Sequence, residues 1–146
     1  MQEILIRNLH DYIRENNPEL LLALEEENRV TDYLHENVAS IDGLINQLVA
    51  DNTPSLVIEE RCMVEMTRQL KPSRYNYLKA LLEDEFPAEF ERFNHAGILQ
   101  TEIINLTTVC EPVFHELNFC EENDNDRYLR YAVTGAVHEY FKVNAE

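Results

Sequence analysis

At 146 residues, 45% of them hydrophobic, the chain is long enough to bury a core without a disulfide or metal and too apolar to be a disordered segment. Twenty-eight acids against 12 Lys and Arg leave a formal charge of -16. That balance disfavours direct binding to a phosphate backbone or an anionic membrane surface and permits a basic protein partner.

With three glycines in all, Gly43, Gly97 and Gly135, the chain is short of the turn glycine that many β-hairpins require, and frequent Glu, Leu and Ala favour helix. The predicted fold is all-α, a multihelical bundle or array of about six helices in which orthogonal packing is allowed. A first helix is predicted over 2–15. Asn17-Pro18 has the form of an N-cap followed by Pro at the first helical position, with only a short turn expected over 18–26. A long helix is predicted over 28–50. At 100° per residue, with Asp32 at zero, Val30, Leu34, Val38, Ile41, Leu44, Ile45, Leu48 and Val49 fall between about 120° and 260°. Asp32, Glu36, Asp42 and Asp51 fall on the opposite arc, a solvated acidic face. Residues 30–60 hold six acids and no Lys or Arg.

Thr53-Pro54 repeats the cap-then-proline form and opens a helix over 54–70. Leu70-Lys71-Pro72-Ser73 ends it and caps another over 73–86, which Phe86-Pro87 stops. A short turn is expected over 88–94. Leu106-Thr107-Thr108-Val109-Cys110 is β-branched enough to suggest a strand, but no partner strand is apparent, so helix is kept over 98–117. Pro112 then kinks that helix or starts a new segment. Asn125 or Asp126 caps a last helix over 126–143. On it Leu129, Val133, Ala136, Val137, Tyr140 and Phe141 share one face. Tyr128, Tyr131, His138, Arg127 and Lys142 occupy the other. Exposed tyrosines beside a histidine would mark a contact surface, but tyrosines are often half-buried, and cover by neighbouring helices is the expectation.

The chain reads as a single all-helical domain over 1–146. A division into two helical subdomains near 52–54 stays open, and the short connection there argues for packed neighbours. No internal repeat and no low-complexity linker is visible.

A carboxylate-bridged metal centre in a helical bundle needs two Glu-x-x-His pairs and two further inward carboxylates. The chain offers Asp32-Tyr33-Leu34-His35 and the pair Glu111 and His115, without a second set. The acidic stretch 121–126 lacks the glycine and the closing Glu of an EF-hand loop; capping and helix-dipole complementarity account for it better. Cys62, Cys110 and Cys120 match no zinc spacing. Cys62 is expected to pack, Cys110 and His115 lie about 140° apart around a helix, and Cys120 is the thiol expected to be exposed. There is no phosphate-binding glycine loop and no Gly-x-Ser-x-Gly. No catalytic, cofactor-binding or metal-ligating residue is therefore nominated.

Segment 61–92 holds six basic and six acidic residues, so the rest of the chain carries the whole acidic excess. Arg61, Arg68, Lys71, Arg74 and Lys79 could pair with the acidic second helix or form a local patch for an anionic ligand; intramolecular or solvated pairing is the expectation. The start of the chain lacks the basic and then apolar pattern of a signal peptide, and the longest apolar run, 20–24, is far short of a membrane span. A reducing, cytoplasmic setting is expected.

The stretch from Thr53-Pro54-Ser55 to Leu70, then Ser73-Arg74-Tyr75-Asn76-Tyr77-Leu78-Lys79-Ala80-Leu81-Leu82-Glu83-Asp84-Glu85-Phe86, resembles a small all-helical family of unknown function from Bacteroidetes. Asn17-Pro18-Glu19-Leu20, and Val133-Thr134-Gly135 followed by Tyr140, add to the likeness. Members of that family are often encoded near conjugative or otherwise mobile elements. The resemblance implies a multihelical fold and no activity. The function expected is that of a non-enzymatic, acidic protein-interaction or accessory protein. Two alternatives stand beside it: an enzyme with an unrecognised site of clustered carboxylates or Cys120, and weak nucleic-acid binding through the basic stripe 61–79.

Overall fold

The computed structural model describes residues 1–144, and among them there is no strand. The described residues form ten α-helices rather than about six: α1 Gln2–Asn16, α2 Pro18–Glu26, α3 Val30–Ala39, α4 Asp42–Ala50, α5 Ser55–Met66, α6 Arg74–Glu85, α7 Pro87–His95, α8 Leu99–Val109, α9 Glu111–Glu116 and α10 Arg127–Val143. A 3₁₀ turn, Arg68–Leu70, follows α5. The chain divides into two compact units, Met1–Lys71 and Pro72–Glu146. The turn at 52–54 lies inside the first, where it joins α4 to α5 and those two helices pack on each other.

The surplus helices come from two sources. The turns expected over 18–26 and 88–94 are the helices α2 and α7. Each opens on a proline whose fixed φ suits the first helical position and whose missing N–H has no partner there to lose. The two long helices are each broken. Residues 28–50 do not start helically, because Asn28 is left-handed at φ 56°, and α3 begins at Val30. It stops at Ser40, whose hydroxyl donates to the Asn37 carbonyl at 2.6 Å and competes with the helical ladder. Ile41, at φ -109° and ψ 13°, separates it from α4. Residues 98–117 break at Cys110, and Pro112 sits in the first turn of α9, so it starts a new segment. The β-branched stretch 106–110 is helical up to that break.

Ser73 and Asp126 cap α6 and α10 through their side chains, accepting from Asn76 N and Leu129 N, each at 3.0 Å. The other two expected caps behave differently. Asn17 precedes α2 without bonding to its first turn, and its amide donates to the Leu70 carbonyl at 3.4 Å. Pro54, not Thr53, holds the cap position of α5.

Each unit has its own core. In the first, Leu5, Leu9 and Ile13 of α1 meet Leu34, Val38, Ile41 and Leu48 from the α3–α4 stripe and Ile58, Cys62 and Met66 of α5. The predicted stripe is thus real across the break, save that Val49 at its edge is exposed. In the second, Leu78, Leu81 and Leu82 of α6 meet Ile103 and Leu106 of α8, Cys110, Phe114 of α9, and Leu129, Val133 and Val137 of α10.

The two units share one order of backbone punctuation. Asn17 (φ -137°, ψ 55°) and Phe86 (φ -133°, ψ 56°) both stop a long helix ahead of a proline. The residue before proline is pushed out of the helical region, which explains both stops. Asn28 and Gly97 (φ 73°) then turn left-handed, and the following residue donates its N–H back across the last turn: Arg29 to Leu24 and Ile98 to Phe93. One register carries Pro18 onto Pro87, Asn28 onto Gly97, Ile41 onto Cys110 and Asp42 onto Glu111. After a shorter fourth helix, Asn52 and Asn118 repeat the left-handed stop, with Thr53 donating to Leu48 and Phe119 to Phe114. The packing follows in part. The first three helices of each unit pack pairwise, as do its fourth and fifth, but α5 rests on α1 whereas α10 rests on α8.

Candidate functional site

The positions that sequence suggested for chemistry are scattered. Asp32 and His35 are both exposed on α3. Glu111 is held by Arg74 in an ion pair. Among the described residues no three His, Cys, Asp or Glu side chains are grouped to hold a metal ion. The acidic loop before α10 is organised by an amide. Asn123 accepts from Cys120 N at 2.8 Å and donates to the carbonyls of Leu117 and Asn118 at 3.0 and 3.1 Å. Asp126 then caps α10, as capping chemistry predicts.

All three cysteines are free thiols. Cys62 and Cys110 are buried in the two cores, and burial pushes both thiols up, Cys110 to about 11. Cys120 is half-buried; its side chain hydrogen-bonds to Glu122, which holds the exposed Glu122 carboxyl below its ordinary value. Reactive thiols sit in electropositive surroundings, and the partner here is an acid.

The basic residues of 61–79 are divided between the units: Arg61, Arg68 and Lys71 belong to the first, Arg74 and Lys79 to the second. Arg68 pairs with Glu65 at 2.8 Å and Arg74 with Glu111. Both are intramolecular pairs, as expected, though neither acid belongs to the acidic 28–50 segment. In the second unit Arg130 is the better-connected cation, reaching Glu85 at 3.0 Å and Asp84 at 3.5 Å. Tyr128 and Tyr131 are 70% and 64% exposed, so the expected cover by neighbouring helices is absent. They face outward because Leu129, Val133 and Val137 take the buried side of α10.

The second unit also carries concave ground that sequence reading missed. One cleft, lined by Ser73, Asn76, Tyr77, Phe119, Asp124 and Arg130 among others, has a volume of about 350 Å³. Burial pushes the Tyr77 hydroxyl up, with Arg130 opposing and Asp124 and Asp126 adding to the effect. A second cleft, of about 400 Å³, is lined by Glu89, Arg92 and Phe93 of α7, Glu102 of α8, and Tyr140, Phe141 and Asn144 around the end of α10. Phe141 packs tilted on Phe93 at 5.8 Å and on Tyr140 at 5.9 Å between ring centroids. The Arg92 guanidinium lies 5.2 Å from the Phe93 ring centroid. Sequence spacing could not unite these residues, because they come from three helices, with the Gly97 turn between α7 and α8 and the whole of α9 and the acidic loop between α8 and α10.

Comparison with protein-family models, with curated proteins and with solved structures finds no match for this chain. Among the described residues no helix is long and apolar enough to cross a membrane.

Proposed function

We propose that this chain is a non-enzymatic accessory protein that acts by binding a basic protein. The observation that carries this reading is the distribution of charge on the first unit. Residues 30–60 hold six acids and no Lys or Arg, and Asp32, Glu36 and Asp51 are exposed there. An unbalanced acidic surface steers cationic partners and repels nucleic acid and anionic lipid. The resemblance to proteins encoded beside mobile elements supports an accessory role next to such an element. A cytoplasmic location goes with this reading, since three free thiols suit a reducing compartment.

The test is capture on the immobilised chain at two salt concentrations. The screening length shrinks from about 10 Å at 0.1 M to about 3 Å at 1 M, so a partner held by exposed charge is retained at the first and lost at the second. Replacing Asp32, Glu36 and Asp51 by their amides is expected to reduce the low-salt capture. Recovery of no basic protein at low salt contradicts the reading.

A further inference from the structure

The cleft between α7, α8 and the end of α10 has an unusual combination of linings. Glu89 and Glu102 are both half-buried there, and among the described residues neither carboxylate has an ion-pair or hydrogen-bond partner. Elsewhere in this unit Asp84, Glu85 and Glu111 face arginines. The rings of Phe93, Tyr140 and Phe141 line the same cleft. Aromatic faces attract a cation within about 6 Å of the ring centroid, most of all where water is partly excluded. The wall already accepts such a group: the Arg92 guanidinium rests 5.2 Å from the Phe93 centroid. The last carbonyls of α10 add the negative end of a 17-residue helix. Two carboxylates, an aromatic wall and a helix C-terminus all favour positive charge, and Arg92 opposes it.

We propose that this cleft receives one cationic side chain of the basic partner, an arginine in preference to a lysine. The proposal rests on the reading of the chain as a binder of basic protein and adds a contact on the second unit to the acidic surface of the first. Arginine fits better because its planar guanidinium stacks on a ring while its fork of N–H donors pairs with a carboxylate through two bonds. The volume, about 400 Å³, has room for an arginine side chain and none for a folded segment.

The test is a titration of the full chain, followed by amide NMR, with hexa-arginine and hexa-lysine peptides at low salt. Hexa-arginine is expected to bind severalfold more tightly than hexa-lysine and to shift the amides around Phe93, Glu102 and Phe141. Glu102→Gln and Glu89→Gln are each expected to weaken hexa-arginine binding about tenfold, the usual scale for losing a charge-assisted hydrogen bond. Arg92→Gln is expected to tighten it two- to threefold, roughly the effect of removing one screened like charge. A purely structural role for Arg92 gives no such gain. If hexa-arginine binds but the two Glu→Gln variants bind it unchanged, the cleft is not the receptor, while the broader reading stands. If hexa-arginine does not bind at low salt, both fall.

Discussion

Burial sorts the three thiols into two kinds. Cys110 lies in the core with Leu106 and Phe114, fully shielded, and its thiol is pushed up to about 11 from an ordinary 9.0. A folded-state value above the unfolded one means that the folded protein holds its proton where the unfolded chain has lost it. The stability tied to this thiol is therefore fully present below about pH 9 and is lost as pH rises toward 11. Thermal melts between those limits are expected to show a falling midpoint, and Cys110→Ala is expected to flatten that fall while lowering the midpoint at neutral pH through the smaller core side chain. At pH 8 a thiol-alkylating reagent is expected to label half-buried Cys120 well before Cys62 or Cys110. Equal labelling of all three in the folded protein contradicts the packing described.

The helix stops decide the elements. Among the described residues four turn left-handed to end helices: Asn28, Asn52, Gly97 and Asn118. Gly97 is the only glycine among them, so a shortage of glycine did not mean a shortage of turns. Asparagine does the same work, because its short polar side chain tolerates that backbone region better than most residues. This explains what the sequence concealed. The apolar period through Val30 to Leu48 is continuous, and hydrophobic spacing sees the face a helix buries, not where the backbone pauses. Ser40 and Ile41 interrupt the ladder without disturbing that period. Asn17-Pro18 has the form of a start and Phe86-Pro87 that of a stop, and only short turns are legible behind them, yet a nine-residue helix opens on each proline; packing against their neighbours supplies what their length does not. The concave ground in the second unit had no sequence signature at all, since Glu89, Glu102 and Tyr140 meet only after three helices fold together. Removing the side chain at Asn52 by Asn52→Gly is expected to stabilise the protein by about 0.5–1 kcal/mol, and Gly97→Ala to destabilise it by about 1–2 kcal/mol. A Cβ at Gly97 would meet nothing within 4 Å, so that cost is conformational and not steric. Denaturant melts of the two variants check both signs; a stabilising Gly97→Ala would mean that the stop is not left-handed in solution.

At the scale of the molecule, the sequence disclosed an all-helical chain with an acidic excess but not its division. The boundary lies at Lys71–Pro72, between the 3₁₀ turn Arg68–Leu70 and the Ser73 cap of α6, where no composition shift marks it. The two units share their punctuation, a proline after a helix stop and a left-handed residue after a short helix, but not their core residues: Leu24 stands where the second unit has Phe93, and Leu34 where it has Ile103. Volume and apolarity are what a core requires, and identity is not. The charge differs too: the acidic stretch without a cation belongs to the first unit, and the aromatic, carboxylate-lined cleft to the second. The most direct measurement of this account is to produce residues 1–71 and 72–146 separately and follow each by far-ultraviolet circular dichroism through a thermal melt. Two units that each bury their own core are expected to be helical alone, each with a cooperative transition. A piece that is unfolded by itself, or that melts without cooperativity, would contradict the division of the chain into two self-contained five-helix units.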